Sequence, residues 1–237
     1  MALILSLETS TAVCSVALHD DGKLIAAAEM HKEQSHASKL AVLIDQAIKV
    51  AGLSLDTINA IAVAQGPGSY TGLRIGVSTA KGLCYALGIP LISIGTLSVM
   101  ATQLKEQNIA RACLCPMIDA RRMEVYCQLF DYEMNELQHV EAKIIDDQSF
   151  RDHLMAHKIL FFGDGASKCK SVINHPNAFF IDDVVPSAKA LGVLGNQKFI
   201  KNEFEDVITF EPFYLKDFLI KKPASKEQVV ANKLSQF

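Results

Sequence analysis

Apolar and polar positions along the first hundred or so residues follow two rhythms. Leu3-Ile4-Leu5-Ser6-Leu7, Val13 to His19 and Leu24 to Met30 are short runs rich in aliphatic residues, with Asp20-Asp21-Gly22 between the last two. Runs of this length bounded by turn residues predict three strands, and Asp-Gly is a strong hairpin signal. From Ser35 the period lengthens. Ala37, Leu40, Ala41, Ile44, Ala47, Ile48 and Ala51 make one helix face, and Gly52 stops it. Ile58 to Ala64 predicts a buried strand, after which Leu73, Val77, Ala80, Cys84 and Leu87 step as one face of a second helix. Ile75, Leu83 and Ala86 lie off that face, and Gly72, Gly76 and Ala80 form a rail of small residues. The pattern predicts a helix buried on more than one side, with a rail that admits another helix at close range. Pro90 closes this region, Leu91 to Ile94 predicts a strand, and Thr96 to about Gln107 a third helix. The order β-β-β-α-β-α-β-α requires helical crossovers between parallel strands, so an α/β lobe is expected.

The second half repeats the rhythm less clearly. Arg111 to Ile118 and Glu124 to Phe130 predict strands around Asp119-Ala120-Arg121-Arg122-Met123. Gln148 to Met155 predicts a helix, Ile159 to Phe162 a strand, Gly163-Asp164-Gly165 a turn, and Ser187 to Lys201 a last helix. No adenosine-holding glycine pair followed by a long helix is evident. Lys221 to Phe237 is polar with little pattern, which predicts a loose tail. The expected organisation is an N-terminal lobe over 1–105, a C-terminal lobe over 106–215 and a tail over 216–237. The helix at about 187–202 has the option of packing back on the first lobe.

Composition narrows the function classes. Half of the 237 residues are apolar, about a fifth are charged, and the net charge is −3, which gives no general reason to bind nucleic acid. Six cysteines without a Cys-x-x-Cys pair suit small buried hydrophobes in a reducing compartment. Cys113 and Cys115 share one strand face, which suits packing, and His31 and His36 are expected at the surface. Met1 to Leu7 lacks a basic start and is ended by Glu8, and no apolar run approaches a membrane span. A cytoplasmic protein without membrane contact is expected.

Between the fourth strand and the second helix lies Gln65-Gly66-Pro67-Gly68-Ser69-Tyr70-Thr71-Gly72-Leu73-Arg74-Ile75-Gly76. A phosphate-binding P-loop would follow its last glycine with Lys-Ser/Thr, and Leu73-Arg74 stands there. A dinucleotide fingerprint allows two residues between its second and third glycines, and three intervene. A nucleophile elbow would flank Ser69 with glycines where Pro67 and Thr71 stand. The whole string, with Ser78-Thr79-Ala80-Lys81-Gly82 and Leu87-Gly88-Ile89-Pro90-Leu91, instead resembles the signature of the TsaB (YeaZ) family. The resemblance is strong from Met1 to about Phe130 and thin beyond.

That resemblance implies an α/β fold of two actin/hexokinase-like, ribonuclease H-like lobes, each with a mixed five-stranded type of sheet, the second lobe reduced. It implies a partner subunit required for threonylcarbamoyl transfer to adenosine 37 of ANN-decoding tRNAs. Its partners would be a TsaD-like catalytic subunit, a TsaE-like ATPase and a second copy of itself, with tRNA reached through the complex. The expected partner surface is Ser38, Ala41 and Asp45 on the first helix with Tyr70, Thr71, Gly72, Arg74, Ile75, Gly76, Thr79 and Leu83 on the second. Gly66, Pro67 and Gly68 are expected as a structural loop. Glu8, Thr9, Ser10 and Thr11 stand where the superfamily holds nucleotide phosphates, but no glycine lets the backbone approach one, so a vestigial phosphate loop or a plain polar turn is expected.

Enzyme chemistry is sparse. The sister subunit's two metal-binding histidines fall on Thr96 and Met100, and neither suits iron or zinc. His153 and His157 have the spacing of a zinc hydrolase helix, but Leu154 replaces the general base and a third ligand is lacking. Arg121 and Arg122 could attract an anion or simply be solvated. No metal and no cofactor in the isolated chain are expected, with a nucleotide at a complex interface left open. Three readings stand: a non-catalytic scaffold, a degenerate ATPase or metallopeptidase, and a monomer whose two helices only fill its core.

Overall fold

Ten strands in two sheets carry the computed structural model, which describes residues 2–31 and 36–216. In the first sheet β1 (Leu3–Glu8), β2 (Cys14–Asp20) and β3 (Lys23–Met30) form an antiparallel meander. β4 (Ala60–Gly66) and β5 (Leu91–Gly95) join in parallel, giving the order β3-β2-β1-β4-β5. The second sheet repeats the plan. β6 (Cys113–Asp119), β7 (Glu124–Phe130) and β8 (Glu136–Ile144) are its meander, with β9 (Ile159–Phe162) and β10 (Ala178–Ile181) parallel beyond β6. Two mixed five-stranded sheets in this order are the paired lobes of the actin/hexokinase-like fold. β8 and β10 escape the sequence reading because both are edge strands with few buried positions, so neither shows a clear apolar run.

β1 is buried on both faces, which is why it reads as an unbroken apolar run with one serine. One face, Leu3, Leu5 and Leu7, packs on α1 (His36–Val50) and α2 (Tyr70–Leu87) through Leu40, Ile44, Val77 and Cys84. The predicted start of the first helix at Ser35 lies outside the described residues. On the other face, Ile4 packs with Ala62, Ile92 and Leu191. Leu191 belongs to α5 (Ala188–Ile200), which lies across the first sheet although it follows the second in the chain. α3 (Thr96–Lys105) joins the lobes, its Leu97, Met100 and Ala101 packing with Leu114, Phe130 and Phe162. α4 (Arg151–Ala156) puts Leu154 into the second-lobe core beside Cys113, Cys115 and Cys127.

After α5 the chain runs back over the first lobe as a strap. Glu205 bridges Leu91 and accepts from the Ser93 hydroxyl. Lys81 Nζ donates to the carbonyls of Ile208 and Phe210, at 3.1 and 2.8 Å. The Phe213 amide donates to the Gln65 carbonyl at 2.7 Å, and Lys216 pairs with Glu124 of the second lobe. The loose tail expected over Lys221 to Phe237 lies outside the described residues.

Candidate functional site

The Gln65–Gly76 string and the Glu8–Thr11 turn pack as one unit. Ser69 caps α2, its hydroxyl accepting from the Gly72 amide at 3.2 Å, and its own amide donates to the Ser10 carbonyl at 2.6 Å. The Thr9 hydroxyl donates to the Gly72 carbonyl at 2.8 Å. A Cβ on Gly68 would overlap the Ser10 carbonyl, one on Gly72 the Thr9 carbonyl, and one on Gly76 the Thr9 hydroxyl. The glycines are therefore the seat of the turn. This corrects the expectation that the Gly72-Gly76-Ala80 rail receives a partner helix: Gly72 and Gly76 face the chain's own turn, and Ala80 lies in the first-lobe core. Gly72 and Gly76 are buried and drop out of the expected partner surface.

The turn is neither a solvated hairpin nor an open phosphate cradle. Glu8, Thr9 and Ser10 are fully buried and Thr11 nearly so. Glu8 Oε1 accepts from the Ser10 amide at 2.7 Å, yet loss of solvent outweighs that bond and raises the carboxyl to about 7. The hydroxyls of Ser6 and Thr11 are buried without a protein partner. A phosphate loop works by aiming unoccupied backbone N–H groups at the anion. Here helix α2 sits against the turn, and the Ser10 amide is held by Glu8, so the residues present do not fit a phosphate.

The second-lobe turn is occupied in the same way. The Asp119 amide donates to Asp164 at 2.9 Å, the Ala120 amide to the Glu124 carbonyl at 3.1 Å, and the Arg121 amide to the Asp119 carboxylate at 2.9 Å. Arg121 and Arg122 have positive φ, at 72° and 51°, and are exposed at the hairpin tip. Gly163 and Gly165 sit where a Cβ would overlap the Met117 carbonyl or approach Ile118 to 2.8 Å, so they seat the turn on β6. Only a short 3-10 turn, Ser167–Cys169, follows them.

Thr96 and Met100 are both buried, and the Met100 methyl packs against Gly163. His157 lies just past the end of α4 with extended backbone, so it does not share a helix face with His153. Among the described residues no group of three His, Cys, Asp or Glu side chains is placed to hold a metal. His31 is exposed beside Glu29, and the side chain of His36 lies outside the described residues.

The other expected partner residues lie at or near the surface. Ser38, Ala41 and Asp45 are exposed on α1, as are Thr71 and Arg74 on α2, while Tyr70, Ile75, Thr79 and Leu83 are half-buried. Arg74 stacks 4.5 Å from the Tyr70 ring and its Nε reaches the Tyr214 hydroxyl at 3.4 Å. Tyr214 itself packs 4.9 Å from Tyr70, a strap contact that no local pattern announces. The expectation that α2 is buried on several sides fails along one row: Thr71, Ser78, Gly82 and Tyr85 face outward, Tyr85 at 82% exposure. Nothing lies within 4 Å of a Cβ built on Gly82. An exposed mid-helix glycine costs about 1 kcal/mol relative to alanine, and that cost was the available signal for this row.

Residues 30–234 match the family model described as TsaD, tRNA N6-adenosine threonylcarbamoyltransferase. The tRNA threonylcarbamoyladenosine biosynthesis protein TsaB of Bacillus subtilis is 29% identical over 225 residues, 90% of this chain and 93% of the relative. TsaB of Escherichia coli K12 is 38% identical over 138 residues, 58% of this chain and 59% of the relative. The chain belongs to the TsaB (YeaZ) family, paralogous to TsaD. The E. coli match spans only about six-tenths of that TsaB. YeaZ from Pseudomonas aeruginosa superposes with a TM-score of 0.78 at 25% identity, covering 91% of this chain and all of that one. A P. aeruginosa protein described as similar to peptidase YeaZ gives 0.81 at 26% with the same coverage. Among the described residues of this TsaB-family chain no helix is long and apolar enough to cross a membrane.

Proposed function

We propose that the chain is a non-catalytic subunit in tRNA threonylcarbamoyladenosine biosynthesis, working in the cytoplasm without a cofactor of its own. It docks through α1 and the outward row of α2 to a TsaD-like catalytic subunit or to a second copy of itself. A TsaE-like ATPase joins that complex, and tRNA is reached through it. The pathway comes from the names of the TsaB relatives. The observation that supports the reading is the closed turn: the chain's own helix α2 is seated on Glu8–Thr11, the turn that the resemblance assigns to nucleotide phosphates. The enzyme alternative, a degenerate ATPase or metallopeptidase, has the resemblance to a peptidase-like neighbour in its favour. The chemistry of Thr96 and Met100 speaks against it.

Reconstitution tests this directly. Threonylcarbamoyl transfer to tRNA should require the chain together with the TsaD-like and TsaE-like subunits, and the chain alone should show no turnover. The chain alone should also give no saturable heat with ATP; tight one-to-one binding in calorimetry would return the enzyme reading.

Gly82 distinguishes a docking row from an ordinary surface. Gly82→Ala should stabilise the isolated chain by about 0.5–1 kcal/mol through helix propensity. Gly82→Leu should leave the fold intact, since its Cβ meets open space. Across an interface it should weaken association by about 5- to 150-fold, as overpacking of about 1–3 kcal/mol implies. A two-fold self-dimer meets the change twice and a mixed dimer once, so the self-dimer should suffer more. Gel filtration and surface plasmon resonance read both, and unaltered affinity would remove α2's outer row from the interface.

A further inference from the structure

A cleft of about 460 Å³ lies between the lobes, and neither the Glu8–Thr11 turn nor the Asp119–Met123 turn lines it. Its size falls in the range of small-molecule sites, about 300–1,000 Å³. Parts distant in sequence build its walls. Ile94 and Leu97 come from the β5–α3 junction, Leu194 from α5 and Phe213 from the strap, giving an apolar wall, and Gln65, Gly66 and Pro67 of the glycine string line the cleft beside it. Gln128 of β7, Gln197 and Lys198 of α5, and Lys201 and Glu203 just after α5 supply polar groups. An apolar body with a few convergent polar groups is the usual make-up of a ligand pocket.

Charge selects the class of ligand. Lys198 is half-buried, and its Nζ donates to the Ser93 carbonyl at 2.9 Å, which leaves donors over. Among the described residues neither Lys198 nor Lys201 is in an ion pair. Glu203 offsets one of the two, so the cleft carries one net positive charge beside an apolar wall. The half-buried Lys198 ammonium is bonded to a neutral carbonyl, and an anionic head group would bring a charged partner to it. We propose that this cleft binds a small organic monoanion with an apolar body, its head group held by Lys198 and Lys201. The site includes no residue of the docking row on α2, and it shares Gln65, Gly66 and Pro67 with the glycine string that seats the closed turn.

The full chain is titrated with 8-anilinonaphthalene-1-sulfonate, a monoanion with an apolar body, and with its uncharged counterpart N-phenyl-1-naphthylamine. One saturable site for the sulfonate is expected, with the uncharged dye at least tenfold weaker. Lys201→Met, at an exposed position, should weaken the sulfonate about tenfold and leave the uncharged dye unchanged. Leu194→Trp, which fills the apolar wall, should abolish both while melting shows the fold retained. Should that variant not fold, Lys201→Met still decides, with amide shifts at Gln128 and Leu194 separating the cleft from exposed Tyr85 and Ile208. No saturable site, equal affinity for the two dyes, or binding indifferent to these changes would overturn the proposal.

Discussion

Gly72→Ala should lower the melting temperature by about 4–8 °C, although alanine is the better helix former. Propensity alone favours the change by about 1 kcal/mol. Against that, the new methyl would overlap the Thr9 carbonyl, a backbone atom that no rotamer change can move aside. Overpacking of this kind costs about 3 kcal/mol or somewhat more, so a net loss near 2 kcal/mol is expected. For a chain of this size each kcal/mol moves the midpoint by about 2–4 °C. Gly76→Leu belongs to the same class. If its rail faced a partner, it would separate subunits and leave the monomer's stability alone. With Thr9 against Gly76, it should destabilise the isolated chain. Calorimetry on wild type, Gly72→Ala, Gly76→Leu and Gly82→Ala would show two falls and one rise. A Gly72→Ala protein as stable as wild type would mean that the turn does not sit on the helix.

Glu8→Gln should flatten part of the pH dependence of stability. The carboxyl lies at about 7 in the folded chain and near 4.5 when exposed, because burial removes its solvent. A raised folded value means that the contribution is fully present below about 4.5, declines as pH rises through the interval, and is gone above about 7. The gap corresponds to about 3 kcal/mol as an order of magnitude. Glutamine resembles the protonated acid in shape and has no charge to desolvate. The variant should therefore match wild type near pH 4 and exceed it by up to about 3 kcal/mol at pH 8. His19 works in the opposite sense: burial under α5 lowers its value, so its contribution is present above the ordinary 6.5 and is lost as pH falls from there through the lowered folded value. Taking the difference between variant and wild type in urea unfolding cancels His19, which both carry. Parallel curves from pH 5 to 8 would show that Glu8 is ionised within the fold, stabilised by groups beyond the Ser10 amide.

How legible the molecule was depended on the range over which each signal acts. β1, β2, β3, α1 and α2 announced themselves because aliphatic runs and a helical period are properties of neighbouring residues. β8 was silent because an exposed edge strand has no buried face to imprint a pattern on its residues. The glycine string was recognisable, but its purpose was not. The Thr9 hydroxyl and the Gly72 carbonyl that it meets are 63 residues apart, and no local rule pairs them.

The residues by themselves determined the alternation of strands and helices and carried the resemblance to the family. Only the tertiary structure decided direction. A small-residue rail accepts anything that comes close, and packing gave it to the chain's own turn rather than to a partner. The outward row through Gly82 was left open by the same choice, because a helix seated on one side by Gly72 and Gly76 must turn its opposite side to solvent. Likewise Glu8 reads as an ordinary acidic residue at the end of a strand. Its raised pKa exists only because the fold buries it away from water.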